Sequence, residues 1–120
     1  MPLTWIGILY GQVKASLAAN SGIQGAEDAI KLLLAGADVT MLCSTLLRDG
    51  ADHLRSIEQG MREWMEQCEY ASVRQMQGTM SQLRCSDPAV FERAQYTRAV
   101  KDVQHVVMTG REAWRILSYE

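Results

Sequence analysis

A helix lying between two short apolar segments is the feature that most limits how this chain can fold. Residues 15–19 and 38–43 contain few polar residues, which is typical of strands in a parallel sheet covered on both faces. Between them, Ala26–Ala35 carries an apolar stripe and acidic residues in its first turn, and Gly36 follows as a left-handed C-cap. This order predicts a βαβ unit with two parallel strands, an α/β arrangement.

Further helices are predicted on both sides of this unit. The expected helices are residues 3–13, 54–68, 72–80, 89–107 and 111–119, and a strand is the alternative for residues 5–9. Ser72 and Gln75 have the spacing of a capping box, and Asp87 followed by Pro88 is a second helix start. In residues 54–68, Trp64 and Met65 fall on an apolar stripe, so we expect them to pack against the core rather than bind a ligand.

Charge and hydropathy exclude two classes of partner. The 120 residues include 12 Lys and Arg and 14 Asp and Glu, with the two signs interspersed. A nucleic-acid-binding protein needs a concentrated basic face, so we expect no nucleic-acid partner. The apolar runs are far shorter than the roughly 20 residues of a membrane span, and nothing at the N-terminus resembles a secretory signal. We expect a cytoplasmic protein with no membrane partner.

The cysteines and histidines do not form a recognisable metal or nucleophile site. Cys43, Cys68 and Cys85 contain no CxxC pair, which favours free thiols in a reducing compartment. His53 and His105 neighbour no plausible nucleophile. A metal site and a Ser or Cys hydrolase are therefore not expected.

Small residues follow each predicted strand, at residues 20–23 and 43–45. In an α/β barrel, ligands bind at the carboxyl ends of the strands, and the loops after the last two strands commonly hold a phosphate. Main-chain N–H groups at a small-residue turn before a helix can bind an anion. The two segments are candidates for such a site, and the alternative is that both are plain structural turns.

These segments, taken in order, resemble the closing region of the dihydroorotate dehydrogenase family. There a T-G-G-I turn precedes a helix, a C-G-A or A-G-A corner follows, and the next strand ends in G-T-A-L. The corresponding segments here are residues 20–23, 25–29, 34–37 and 43–47. Residues 69–76 and 87–94 are similar to segments of the dehydrogenase-like branch of that family, and the likeness covers residues 2–100.

The resemblance implies a TIM barrel with FMN at its mouth and both turns on the FMN phosphate. Matched by position, the first glycine pair falls on Ser21 and Gly22, and the second turn's Gly-Thr falls on Cys43 and Ser44. These four are the predicted cofactor-binding residues. The family's lysine, its base and its substrate asparagines lie in earlier strands and loops, so the resemblance implies a chain that is not catalytically competent alone and binds FMN weakly or not at all.

The predicted fold is thus the C-terminal fragment of a TIM (β/α)8 barrel, with two parallel strands, several helices and a helical C-terminal extension. Residues 1–100 would be the barrel portion and residues 101–120 a divergent helical tail. Unpaired strand edges predict self-association. Two alternatives stay open: a non-enzymatic helical interaction protein built around residues 54–68, and the phosphate-binding part of another TIM-barrel enzyme.

Overall fold

Two parallel strands form the sheet of this protein in a computed structural model that describes residues 2–94, 96 and 97. Strand β1 is Ala18–Asn20 and strand β2 is Val39–Met41, with Ala18 opposite Val39 and Asn20 opposite Met41. The predicted α/β arrangement with paired parallel strands is confirmed. Each strand has three residues, so both are shorter than predicted, and β1 begins at Ala18 rather than at residue 15.

Hydrogen bonds between Leu17 and Asp38 hold the start of the strand pair together. The Leu17 carbonyl accepts the N–H groups of Asp38 and Val39 at 2.8 and 3.3 Å. The Asp38 carboxylate in return accepts the Leu17 N–H at 2.7 Å and the Gln77 side-chain amide at 2.7 Å. The Leu17 hydrogen bond, followed by that of Gln77, lowers the pKa of Asp38 below its ordinary value.

The expectation that both faces of the strands are buried is wrong. Ala19 is fully buried against the helices, whereas Val39 and Met41 on the opposite face are 52% and 50% exposed. Ala18 and Asn20 are exposed as well. In the described part of the chain nothing covers this face, because the sheet contains only two strands.

Helices make up most of the remaining described structure. They are α1 Pro2–Leu9, α2 Ala26–Ala35, α3 Ser44–Asp49, α4 His53–Gln67 and α5 Val73–Met76, with a 3-10 helix at Gln82–Arg84. Helix α2 matches its predicted bounds, and α4 is displaced by one residue. Helices α1 and α5 end before their predicted limits, where Gly11 and Gly78 adopt left-handed φ values of 77° and 71°. Helix α3 was not predicted.

The predicted capping signals are confirmed. Ser72 Oγ accepts the Gln75 N–H at 3.3 Å, and Gln75 Oε1 accepts the Ala71 N–H at 2.9 Å. Asp87 Oδ1 accepts the N–H groups of the second and third residues after it at 3.0 and 3.3 Å. The helix that Asp87 begins is described over residues 88–94, 96 and 97, so the rest of the predicted helix 89–107 and the helix 111–119 lie outside the described residues.

The core lies mainly around α2. One buried cluster contains Ile6, Ala19, Ile23, Ala29, Leu32, Ala35, Ala37 and Ile57, and a second contains Ile30, Leu33, Leu34 and Met76. Trp64 and Met65 are half-buried against the second cluster, and the Trp64 ring stacks on Tyr70 with centroids 5.7 Å apart. Their predicted packing role is confirmed. Leu54 and Cys68, predicted on the same stripe, are exposed instead.

The side chain of Tyr10, just after α1, lies against two glycines that are distant in sequence. A Cβ atom added at Gly36 or Gly78 would overlap the Tyr10 side chain. The Gly78 N–H donates to the Leu33 carbonyl at 3.1 Å, which fixes the segment after α5 to the end of α2. Tyr10 therefore joins the end of α1 to both segments.

The chain divides into two units, Met1–Ser86 and Asp87–Glu120, and every labelled element above belongs to the first. The predicted boundary near residue 100 lies outside the described residues. No helix within residues 2–94, 96 and 97 combines the length and the apolarity needed to cross a lipid bilayer.

Candidate functional site

One pocket beyond the carboxyl ends of β1 and β2 contains all four predicted site residues. Its lining comprises Asn20, Ser21, Gly22, Ile23, Met41, Leu42, Cys43 and Ser44. These residues belong to two turns, which we call the first turn (residues 21–24) and the second turn (residues 42–44). They meet because parallel neighbouring strands end at the same edge of the sheet. We call this cavity the turn pocket.

The size of the turn pocket limits what it can hold. Its volume is about 230 Å³. A water molecule occupies roughly 30 Å³ in the liquid, so a phosphate-sized anion with some water fits. Sites for whole drug-sized ligands are commonly about 300–1,000 Å³. The turn pocket is therefore large enough for a phosphate group and smaller than the usual site of a whole drug-sized ligand.

The first turn has an uncommon backbone conformation. Ser21 and Gly22 have consecutive left-handed φ values of 74° and 75°. Glycine adopts this region freely, whereas a residue with a side chain is disfavoured there by roughly 1–2 kcal/mol. A Cβ atom at Gly22 would meet no atom within 4 Å. Glycine at position 22 is thus favoured by its backbone angle and not by steric crowding.

The second turn leads directly into α3. Cys43 is the N-cap residue of that helix, and Ser44 is its first residue. Both are exposed. Among the described residues, no turn or loop hydrogen bond to a main-chain carbonyl engages the N–H groups of Gly22, Cys43 or Ser44. These three N–H groups are therefore candidate donors for a ligand in the turn pocket.

A buried threonine that was not predicted as a site residue connects the two turns. Thr45, the second residue of α3, is 2% exposed, and its hydroxyl donates to the Ile23 carbonyl at 2.6 Å. Sequence reasoning grouped Thr45 with the second turn but gave it no role, because its partner is 22 residues away. The sequence shows only that position 45 carries a hydroxyl group, and its burial is seen in the structure alone.

Two further side chains hold Gln24, at the end of the first turn. Asp28 Oδ2 accepts the Gln24 N–H at 3.0 Å. His53 Nε2, at the start of α4, lies 2.9 Å from the Gln24 carbonyl, and it donates there because a carbonyl oxygen only accepts. Residues from α2 and α4 thus anchor the chain just beyond the lining of the turn pocket.

The turn pocket has no charged side chain in its lining. Any anion there would be bound by main-chain dipoles and small polar side chains alone. A second pocket of about 190 Å³ shares Ser21 and Gly22 with the turn pocket, and its lining includes Asp28 and Lys31. Lys31 pairs with Glu27 at 3.3 Å, and both side chains are largely exposed. Lys31 lines this second pocket and not the turn pocket.

The described residues contain no group of three or more His, Cys, Asp or Glu side chains that could hold a metal ion. Cys43, Cys68 and Cys85 are free thiols. The predicted lack of a catalytic apparatus stays a prediction.

Comparison with known proteins gives one partial similarity. The chain is 33% identical over 57 residues to a protein of Aeropyrum pernix named "Putative dihydroorotate dehydrogenase A (fumarate)". The match covers 48% of this chain and 19% of that protein. No family model matches the chain, and no solved structure matches it. The comparisons therefore support a dihydroorotate dehydrogenase-like relationship for part of the chain. The matched part spans about a fifth of the length of that relative.

Proposed function

We propose that this chain is the C-terminal segment of an FMN-dependent, TIM-barrel oxidoreductase related to dihydroorotate dehydrogenase, and that its turn pocket binds the FMN phosphate. The observation that carries the proposal is the meeting of Ser21, Gly22, Cys43 and Ser44 in one pocket at the carboxyl ends of adjacent parallel strands. The partial similarity to a dihydroorotate dehydrogenase supports it.

The donors of the turn pocket fit a phosphate. The N–H groups of Gly22, Cys43 and Ser44 make no turn or loop hydrogen bond within the described structure. An oxyanion accepts hydrogen bonds from main-chain N–H groups, and these are stronger than bonds between neutral groups. In this proposal the chain holds and orients the phosphate, while bound FMN would supply the redox chemistry.

The open face of the sheet supports the barrel part of the proposal. In a TIM barrel, alternate strand residues point into the interior, where other strands cover them. Val39 and Met41 on this face are about half exposed. They are apolar residues in positions that further strands would bury. By the same argument, we propose self-association through this face and the unpaired edges when those strands are absent.

Among the alternatives, the helical interaction protein has less support. The stripe on α4 that it requires is already used, since Ile57 is buried in one core cluster and Trp64 and Met65 pack against the other. A phosphate site in another TIM-barrel enzyme would use the same pocket, and the partial similarity favours the dihydroorotate dehydrogenase relationship over it.

A ligand series tests the proposal on the chain itself. Inorganic phosphate, FMN and riboflavin would be titrated into ¹⁵N-labelled protein, with amide shifts of Gly22 and Ser44 as the readout. We expect phosphate and FMN to bind with dissociation constants on the order of 1 mM, equivalent to about 4 kcal/mol. Riboflavin has the same ring system without the phosphate, so it should not shift these amides. Equal shifts with riboflavin and FMN, or none with any ligand, would show that the turns are structural.

Gly22→Val provides the matched variant. Valine is strongly disfavoured at a left-handed φ, so the first turn should change conformation and lose phosphate binding. Gly50→Val is the control, since Gly50 is also left-handed, with φ 81°, and lies outside the turn pocket. In a folded Gly22→Val protein, phosphate affinity equal to that of the control would remove position 22 from the site.

A further inference from the structure

We propose that Thr45 is a positioning residue that holds the first turn in the geometry required for anion binding. The inference rests on the proposed function for its ligand and assigns a role to a residue outside the predicted site. The Thr45 hydroxyl is buried and donates to the Ile23 carbonyl at 2.6 Å, joining the start of α3 to the opposite side of the turn pocket.

The peptide group between Ile23 and Gln24 is held at both ends. Thr45 binds its carbonyl oxygen, and the Asp28 carboxylate binds its N–H at 3.0 Å. A peptide group is planar and rigid, so two opposed hydrogen bonds fix the orientation of the whole plane. His53 donates to the Gln24 carbonyl at 2.9 Å and restricts the next plane. The first turn is thus anchored by α2, α3 and α4.

This anchoring explains how Ser21 keeps its conformation. Ser21 and Gly22, at φ 74° and 75°, directly precede the fixed peptide group. A residue with a side chain remains in the left-handed region only where the surrounding structure enforces it. Of the three anchors, only the Thr45 hydrogen bond is buried, because those of Asp28 and His53 are exposed. Water competes least for the buried bond, so among these three hydrogen bonds that of Thr45 contributes most to holding the turn.

The prediction from this role is local. Without the hydroxyl, the first turn relaxes, the Gly22 N–H moves away from those of Cys43 and Ser44, and anion affinity falls. The elements that carry the core remain in place. A residue needed only for general stability would instead weaken distant parts of the first unit equally.

Two variants at position 45 test this in the full-length chain. Thr45→Val keeps the shape and removes the donor, whereas Thr45→Ser keeps a hydroxyl. Amide hydrogen exchange is measured at Gln24, whose N–H is bound by Asp28, and at Gly36, whose N–H is bound by Leu32 and Leu33 at the far end of α2. Inorganic phosphate is titrated into each protein in parallel.

For Thr45→Val we expect exchange at Gln24 to rise at least about tenfold and exchange at Gly36 to stay within about threefold of the unmodified chain. Phosphate affinity should fall about tenfold, the effect of losing a buried hydrogen bond. Thr45→Ser should restore both quantities to within about threefold. Unchanged exchange at Gln24, or equal acceleration at Gln24 and Gly36, would overturn the positioning role.

The two proposals fail in different ways. If the unmodified chain shows no phosphate binding, the proposed function fails, and exchange at Gln24 still decides whether Thr45 holds the turn. If phosphate binds and Thr45→Val binds it equally well, the proposed function stands and the positioning role fails. Should Thr45→Val not fold, Thr45→Ala replaces it, and failure of both to fold would show that Thr45 is a general stability residue.

Discussion

The carboxylate of Asp38 accepts the main-chain N–H of Leu17 at 2.7 Å, so the residue before β2 is hydrogen-bonded to the residue before β1. This bond and that of Gln77 favour the ionised carboxylate and lower the pKa of Asp38 from its ordinary value of 3.8. The stabilisation is complete above the pKa of the unfolded chain and is lost as the pH falls through the lower pKa of the folded chain.

Asp38→Asn should therefore change how stability depends on acid. Near neutral pH we expect a loss of about 1 kcal/mol, less than for a buried charged hydrogen bond because Asp38 is exposed. The difference between the two proteins should narrow as the pH falls below the pKa of the unfolded chain, and its charge-dependent part should be absent below the folded-state pKa. Urea unfolding between pH 7 and pH 2.5 measures it, and a constant difference across that range would contradict the assignment.

Trp64→Ala should destabilise the first unit. A fully buried aromatic costs roughly 3–5 kcal/mol on truncation, and Trp64 is half-buried and stacked on Tyr70, so we expect about 2 kcal/mol. Trp5→Ala is the matched control, because Trp5 is 61% exposed and should cost below about 0.5 kcal/mol. Equal losses in the two variants would place the Trp64 ring outside the core.

The open face of the sheet should make the chain self-associate. Val39 and Met41 are 52% and 50% exposed beside unpaired strand edges, so we expect sedimentation to show larger species as concentration rises. Lysine at both positions should shift the protein towards monomer. Leu47→Lys is the control, since Leu47 is 83% exposed but lies on α3. Dissociation by the control as well would point to another surface.

Gly36→Ser should be far more harmful than Gly25→Ser. Gly36 has φ 121°, and an added Cβ would meet the Tyr10 side chain, so we expect a loss of about 2–4 kcal/mol. Gly25 is extended, at φ −151°, and a Cβ there meets no atom within 4 Å. Serine is also a good N-cap, so that change should stay within about 0.5 kcal/mol. Thermal unfolding of both variants provides the comparison.

The sequence correctly predicted the helix ends that are marked by residues at or next to those ends. The acidic residues at the start of α2 and Gly36 after its end predicted the bounds of that helix correctly. The spacing of Ser72 and Gln75 predicted the N-cap of α5. The six residues of α3 are too few to show a helical period, so α3 was missed. The exposed face of β1 and β2 was also missed, because an apolar strand does not reveal whether a neighbouring strand is present to cover it.

The candidate site was predictable only in part. The parallel pairing brings Ser21, Gly22, Cys43 and Ser44 together as expected from strand order, and whether they bind a phosphate stays a prediction. The roles of Thr45 and His53 could not be predicted. Thr45 binds the Ile23 carbonyl from 22 residues away, and His53 binds the Gln24 carbonyl from 29 residues away. Hydrogen bonds between such distant residues leave no pattern in the sequence.

The contact of Tyr10 with Gly36 and Gly78 also limits which mutations can accumulate at these positions. A smaller residue at position 10 would remove the overlap that a Cβ at either glycine would create. It would not remove the second restriction, because both glycines keep left-handed φ values of 121° and 71°. In homologous chains, the two glycines should therefore persist even where position 10 carries a smaller residue. An alignment should thus contain chains with both glycines and a smaller residue at position 10, but few chains with Tyr10 and a larger residue at either glycine position.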